Sequence, residues 1–313
     1  MYLKNIKQIL KSRLNCHKQG DYPNVFIFST PRSGSTWLQE LIWTQPGFKC
    51  ISEPLNIRVP EIRNILGVDS WLQLYENEEK IRIINYLSAF CNGKYHFRNP
   101  NPLKKNSQFL TNRIVFKILN GGEFWINDIA QQCNGKVVYL IRHPIAVSLS
   151  RQQLPRLDIF CTESILNHLP AKAKNTAKKI YLNGDFLEKA VLSWCIQNKI
   201  ALQNLGKNAL IITYEQLAVN PNPILYRLSS WLELSHMEKL FSQLSIPSFS
   251  SVQSEKETHD LFKKGEEGKK FIEKWRKNLS KERLEGLFSI VNDFDIGIYP
   301  EGSLMPDNSY LIH

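Results

Sequence analysis

Four short apolar runs constrain the fold of this chain more strongly than any other feature of its sequence. They occupy residues 25–28, 114–119, 137–141 and 210–212, and a helical pattern follows each run. Apolar runs without alternation are typical of parallel strands that have helices packed on both faces. The pattern therefore predicts an α/β fold in which helices flank a parallel sheet.

A single domain of residues 1–313 is predicted, because no repeat, low-complexity segment or Pro/Gly-rich linker divides the chain. Residues 1–24 are basic and are expected to form an N-terminal helix. Two long excursions, 45–112 and 154–184, interrupt the alternation of strands and helices. Long segments between sheet elements commonly build substrate pockets, so we expect both excursions to shape one.

Charge and cysteine content narrow the classes of function. The chain has 40 Lys and Arg against 29 Asp and Glu, a net charge of +11, which favours anionic partners. Its six cysteines show no CxxC or CxxH spacing, so no metal site is expected and reduced thiols are predicted. No stretch approaches the roughly 18 apolar residues of a membrane helix, and the N-terminus lacks the apolar core of a signal peptide. We therefore expect no transmembrane segment and a cytoplasmic location.

The loop after the first predicted strand has the composition of a phosphate-binding site. Residues 29–37 read STPRSGSTW and lead into a helix that is expected to begin near Ser35. A glycine lets the backbone approach a ligand closely, and the N–H groups at a helix N-terminus favour negative charge. Arg32 adds a bidentate cation, while Ser33, Ser35 and Thr36 add hydroxyl donors. The loop is not a Walker A motif, because no Lys precedes its Ser/Thr pair.

The segment TPRSGSTWL resembles the 5′-phosphosulfate loop of sulfotransferases that use 3′-phosphoadenylyl sulfate (PAPS). An Arg at this point is the form seen in carbohydrate and tyrosylprotein members. The resemblance implies the P-loop-like sulfotransferase fold, and it implies that Trp37 stacks on the adenine. It also implies that the 5′-phosphosulfate is held by Arg32, Ser33, Gly34, Ser35 and Thr36.

A second motif follows the third predicted strand. Arg142 leaves the C-terminal end of this strand, where ligands bind in open α/β sheets, and Pro144 begins a helix. This arrangement, with Ser150 eight residues after Arg142, is similar to the family's 3′-phosphate motif. The resemblance implies that Arg142 and Ser150 bind the 3′-phosphate. His143 is interpreted as a turn residue and not as a catalyst.

Three weaker matches lie further along the chain. Tyr214 resembles a family tyrosine near the nucleotide, although a packed aromatic residue would look the same. Lys263, Lys264 and Gly265 resemble an Arg-Lys-Gly segment that closes over the 3′-phosphate, with Lys in place of Arg. Residues 271–300 resemble the C-terminal tail of bacterial members.

The reaction that this resemblance implies moves SO3 from PAPS to an acceptor and releases 3′,5′-ADP (PAP). Negative charge grows on the departing phosphate, so fixed cations should supply the main catalytic effect. Arg32 is the first candidate. Lys117 is the second, because a Lys within an apolar strand either reaches a polar cavity or is costly to bury. The alternative is a lysine that extends to solvent at the end of its strand.

Activation of the acceptor requires a general base. Residues 50–55 read CISEPL and resemble the Glu-Pro-Leu segment of carbohydrate sulfotransferases. Pro54 is expected to hold Glu53 in an extended loop, and Glu53 is the candidate base. The alternative is an exposed loop acid without a catalytic role. The chemistry requires no metal.

The sequence therefore predicts a PAPS-dependent sulfotransferase whose acceptor is a hydroxyl of a carbohydrate or of a glycosylated small molecule. A tyrosylprotein or another small molecule is the alternative acceptor. A non-catalytic nucleotide- or nucleic-acid-binding protein is the alternative from another class. Nucleic acid is not expected as a partner, because the chain shows no helix-turn-helix or RNP-like pattern.

Overall fold

A parallel sheet forms the centre of the molecule. The computed structural model describes residues 2–95, 104–153, 155–249 and 272–312. Its strands are β1 (Cys16–His17), β2 (Asn24–Phe28), β3 (Phe48–Ser52), β4 (Leu110–Thr111), β5 (Arg113–Ile118), β6 (Gly135–Ile141) and β7 (Ala209–Thr213). Five of these strands form one sheet in the order β3-β5-β2-β6-β7, and every neighbouring pair is parallel. The predicted α/β class is confirmed.

Helices connect the strands and cover the sheet. They are α1 (Tyr2–Arg13), α2 (Ser35–Trp43), α3 (Pro60–Leu66), α4 (Lys80–Cys91), α5 (Ile126–Gln132), α6 (Pro144–Leu149), α7 (Leu157–Phe160), α8 (Glu163–Leu166), α9 (Ala171–Asn183), α10 (Phe186–Gln203), α11 (Tyr214–Val219), α12 (Pro221–Leu232), α13 (Met237–Leu244) and α14 (Lys281–Asp293). Short 3-10 segments span Leu72–Tyr75, Asn77–Glu79, Glu123–Trp125, Lys274–Asn278 and Asn308–Tyr310. Among the described residues, none of these helices is long and apolar enough to cross a membrane.

All four predicted strands are present, and the sheet gains a fifth strand that the sequence did not predict. Strand β3 lies inside the 45–112 excursion and pairs with β5 at the edge of the sheet. Its sequence, FKCIS, is neither a continuous apolar run nor an alternating one, which is why it was missed. The 45–112 excursion therefore supplies a strand of the central sheet as well as helices α3 and α4.

Each face of the sheet is buried under its own apolar cluster. Phe26 and Phe28 point into one cluster, together with side chains of α4, α5, α10 and α14. Val25 and Ile27 point into the other, together with side chains of α2, α12 and α13. Burial on both faces is the physical reason for the continuous apolar runs in the sequence.

The N-terminal helix is shorter than the predicted segment of residues 1–24. Helix α1 ends at Arg13, and β1 then pairs in parallel with β4. Residues 16 and 17 therefore form a strand that pairs with the end of the 45–112 excursion, and they do not extend the helix.

A buried asparagine joins three segments at the start of β2. Asn24 is fully buried, and its Nδ2 donates to the Cys133 carbonyl at 2.9 Å and to Gln19 Oε1 at 2.7 Å. Its Oδ1 accepts from the Ile114 amide at 2.8 Å. The side chain therefore links β2, the start of β5 and the turn before β6.

We expect Asn24→Ala to lower the free energy of unfolding by about 3 kcal/mol, because the buried partners of its amide lose their hydrogen bonds. Chemical denaturation measures this change. The matched control is Asn222→Ala, at an exposed position in the first turn of α12, where a change within about 0.5 kcal/mol is expected. A loss below about 1 kcal/mol for Asn24→Ala would contradict the linking role.

Candidate active site

One cavity of about 850 Å³ opens where the five strands of the sheet end. It is lined by residues that follow each strand, namely Pro31, Glu53, Leu119, Arg142 and Tyr214. Its positively charged lining residues are Arg32, Arg58, Lys117, Arg142, Arg151, Arg156 and Lys274. Among the described residues that line it, Glu53 is the only carboxylate. The cavity is therefore built for a ligand with several negative charges.

The loop between β2 and α2 lines one part of the cavity. Arg32 and Gly34 have positive φ angles, 73° and 89°, and α2 begins at Ser35 as predicted. Ser35 and Thr36 line the cavity beside Arg32. Ser33 does not line it, because its hydroxyl is fully buried and lies 2.8 Å from Thr30 Oγ1. The Ser33 hydroxyl thus makes its contact within the loop, and its assignment to the 5′-phosphosulfate stays a prediction.

Gly34 is required by its backbone and by a close neighbour. At a φ of 89°, a side chain at this position would be strained. A Cβ built on Gly34 would also lie 2.5 Å from the ring of Tyr214. The sequence argument for this glycine was the approach of a ligand, whereas the structure shows that it also makes room for Tyr214.

Lys117 and Glu53 form an ion pair inside the cavity. Lys117 Nζ lies 3.0 Å from Glu53 Oε1 and donates to Thr36 Oγ1 at 3.0 Å. The Lys117 side chain is only 5% exposed, so it points into the cavity and not into open solvent. The sheet register explains this ion pair. Lys117 lies level with Ser52, and the amide of the next residue, Glu53, donates to the Lys117 carbonyl at 2.7 Å.

The expectation of an extended backbone at Glu53 is wrong. Its φ is 54°, in the left-handed region, although Pro54 follows it. Asn56 Nδ2 donates to Glu53 Oε2 at 3.2 Å, so both oxygens of the carboxylate are held. This strained residue, which lies directly after a sheet strand, therefore directs its carboxylate toward Lys117.

Arg142 and Tyr214 line the cavity next to the β2–α2 loop. Arg142 Nη1 donates to the Arg32 carbonyl at 3.2 Å, and its guanidinium carbon lies 4.3 Å from the centre of the Tyr214 ring. Tyr214 is buried, with its ring between Gly34 and Arg142, and Trp37 meets it edge-on at 5.9 Å. Trp37 is also mostly buried and borders the cavity from the apolar cluster beneath α2.

Of the other two residues of the second motif, Ser150 lines the cavity and His143 is buried outside it. Ser150 lines the cavity at the end of α6, and its hydroxyl donates to the Val147 carbonyl at 2.8 Å. His143 is fully buried and stacks on Trp275 at 4.5 Å, and its amide donates to Glu215. Burial lowers the pKa of His143 to about 3. His143 is thus a packed residue outside the cavity, in agreement with its interpretation as a turn residue.

Lys263, Lys264 and Gly265 lie outside the described residues. The structure adds Arg58, Trp71, Asn120, Arg151 and Arg156, which the sequence analysis had not selected. Arg58 and Trp71 come from the first excursion, and the two arginines flank the start of the second. The only local signal for the arginine pair was the short segment RQQLPR after Ser150.

Comparison with known proteins identifies a family for this chain. A family model described as a sulfotransferase domain matches residues 22–292. A mouse sulfotransferase in complex with PAP is 16% identical, with 93% of this chain and 90% of that chain covered and a TM-score of 0.45. The sulfotransferase domain of a Synechococcus olefin synthase is 17% identical, with 89% and 98% covered and a TM-score of 0.44. No curated protein sequence matches the chain.

We expect Gly34→Ala to lower the free energy of unfolding by about 2 kcal/mol, because of its positive φ and the contact with Tyr214. Gly286→Ala is the matched control, since a Cβ there meets nothing within 4 Å and the residue lies within α14. It should stabilise the protein by about 0.5–1 kcal/mol. Thermal and chemical denaturation compare the two variants, and equal stability of Gly34→Ala and wild type would contradict the interpretation.

Proposed function

This chain belongs to the sulfotransferase family and is a PAPS-dependent sulfotransferase, and we propose that it acts on a hydroxyl of a carbohydrate or of a glycosylated small molecule. The observation that carries the proposal is the meeting of the β2–α2 loop, Lys117, Glu53 and Arg142 in one cationic cavity. In the described part of its lining, this cavity combines anion-binding groups with one carboxylate, Glu53.

The described residues fit a nucleotide that is charged at both ends. Arg32, Ser35 and Thr36 form one group of donors at the start of α2, and Arg142 and Ser150 form a second at the end of β6 and along α6. Arg142 Nε is buried and has no hydrogen-bond partner among the described residues, as expected of a donor kept for a ligand. We assign the first group to the 5′-phosphosulfate and the second to the 3′-phosphate, with Tyr214 and Trp37 toward the base.

PAPS supplies an activated sulfuryl group, whose bond to the bridging phosphate oxygen breaks as the bond to the acceptor oxygen forms. Lys117 and Arg32 stabilise the negative charge that grows on the departing phosphate. Glu53 takes the proton of the acceptor hydroxyl. Lys117 contacts Thr36 on the phosphate side and Glu53 on the acceptor side, so it links the two halves of the site.

The acceptor side supports a carbohydrate by its residue types. Glu53, Asn56, Trp71 and Asn120 all line the large cavity, and their amide groups and aromatic ring are residue types that suit the hydroxyls and the ring of a sugar. A tyrosylprotein or another small molecule remains the alternative acceptor, and an acceptor screen separates them. The cytoplasmic location and the single domain remain predictions.

We expect PAP to stabilise the protein by about 2.7 kcal/mol at one hundred times its Kd, which raises the Tm by several degrees. 5′-AMP should give a much smaller shift, because it lacks the 3′-phosphate. Arg142→Gln should remove most of the difference between PAP and 5′-AMP, whereas Arg227→Gln, at an exposed position on α12, should leave it unchanged. A larger shift with ATP and magnesium than with PAP would contradict the nucleotide assignment.

We expect Glu53→Gln to reduce the rate of transfer by a factor of about 10² to 10⁴, because the amide cannot accept the proton of the acceptor. Its affinity for PAP should stay within a factor of about two of wild type. The measurement is PAP release from PAPS with the best acceptor from the screen. Glu61→Gln, on the exposed side of α3, serves as the control. Unchanged turnover in Glu53→Gln would show that another group is the base.

A further inference from the structure

Arg156 occupies the acceptor side of the cavity. Its guanidinium carbon lies 3.6 Å from the centre of the Trp71 ring, and its Nη2 donates to Asn120 Oδ1. Trp71 and Asn120 also line the small recess that contains Glu53. The stacking and the hydrogen bond hold the guanidinium on the same wall as the candidate base.

Arg151 adds a second cation whose charge is not balanced within the described part of the chain. Its Nε and Nη2 atoms are buried and have no hydrogen-bond partner there. Burial, and after it the charge of Arg156, lowers the pKa of Arg151 to about 10. Two guanidinium groups that repel one another in a half-buried wall are costly unless an anion joins them.

The nearby carboxylates balance this pair only in part. Burial lowers the pKa of Arg156, and the charges of Glu123 and Asp158 act to raise it, but neither carboxylate forms an ion pair with Arg156 in the described residues. Burial raises the pKa of Glu123 to about 7. Asp158 is exposed at the surface. Glu53, the remaining carboxylate of the cavity wall, is already paired with Lys117. The charge of the two arginines is therefore available to a ligand.

We propose that Arg151 and Arg156 form a subsite for a negatively charged group of the acceptor, such as a sulfate, phosphate or carboxylate, so that the preferred substrate is an acidic hydroxyl compound. The inference rests on the proposed function and names the substrate class of the same site. Paired guanidinium groups suit an oxyanion, which each can bind through two parallel hydrogen bonds. The contacts of Arg156 with Trp71 and Asn120 put this residue on the Glu53 side of the cavity, whereas Arg151 directly follows Ser150 of the Arg142 group.

The test compares neutral and acidic forms of one sugar. The enzyme is saturated with PAP and titrated by calorimetry with glucose, with glucose 6-phosphate and with glucuronic acid, at constant ionic strength. Wild type should bind the two acidic sugars at least about tenfold more tightly than glucose, which corresponds to about 1.4 kcal/mol. With PAPS in place of PAP, kcat/KM should show the same preference for any of these sugars that is turned over.

Two variants and a control identify the residues. Arg151→Gln and Arg156→Gln should each reduce the preference for acidic sugars to less than about threefold, because each removes one of the two guanidinium groups. Their Kd for PAP should stay within about threefold of wild type, which also shows that they fold. Arg227→Gln, at an exposed position on α12, should keep the full preference and so excludes a general effect of net charge.

Each contrary outcome has its own meaning. Failure of wild type to bind PAP would overturn the proposed function, and this inference with it. Binding of PAP without a preference for acidic sugars would overturn the inference alone. A tenfold or greater loss of PAP affinity in both variants would also overturn it, because the arginine pair would then serve the 3′-phosphate of the nucleotide.

Discussion

The parallel pairing of β2 with β5 on one side and β6 on the other is the constraint on which the rest of the molecule depends. In this register Ile27 lies level with Lys117 and with Val138, so the segments that follow all three strands emerge at one edge of the sheet. The β2–α2 loop and Arg142 are more than 100 residues apart in the sequence, with Lys117 between them, yet all three line one cavity. A one-residue shift in this pairing would move Lys117 to the other face of the sheet and break the site.

Like charges lie close together at the same edge of the sheet, and the stability of the remaining fold offsets their repulsion. Among the residues that the structure describes there, seven cationic side chains share the cavity with one carboxylate, and two residues of the edge, Arg32 and Glu53, have left-handed backbone angles. Strained residues of this kind persist where the surrounding structure holds them in place. Two apolar clusters, one on each face, stabilise the sheet independently of its edge. A bound anion reduces the repulsion, so ligand binding and stability are coupled at this site.

Much of the site could be predicted from the sequence because its residues lie next to strands with a strong local pattern. Lys117 was recognisable as a charge within an apolar strand, and Arg142 as the residue that leaves a strand before Pro144. Strand β3 was missed because its apolar pattern is weak, and the extended backbone expected at Glu53 was wrong because tertiary contacts impose another angle. The contact between the hydroxyls of Ser33 and Thr30 could not be predicted either, because it depends on how the loop folds back on itself.

The sequence by itself determined the class of fold and the strand ends at which chemistry is placed, because periodicity and turn residues act over a few positions along the chain. Only the tertiary structure decided which charges meet. The pairing of Lys117 with Glu53 depends on the register of β3 beside β5, and the stacking of Arg156 on Trp71 depends on how two distant excursions pack. Electrostatic interactions act through space over a few ångströms, and no local pattern in the sequence encodes those distances.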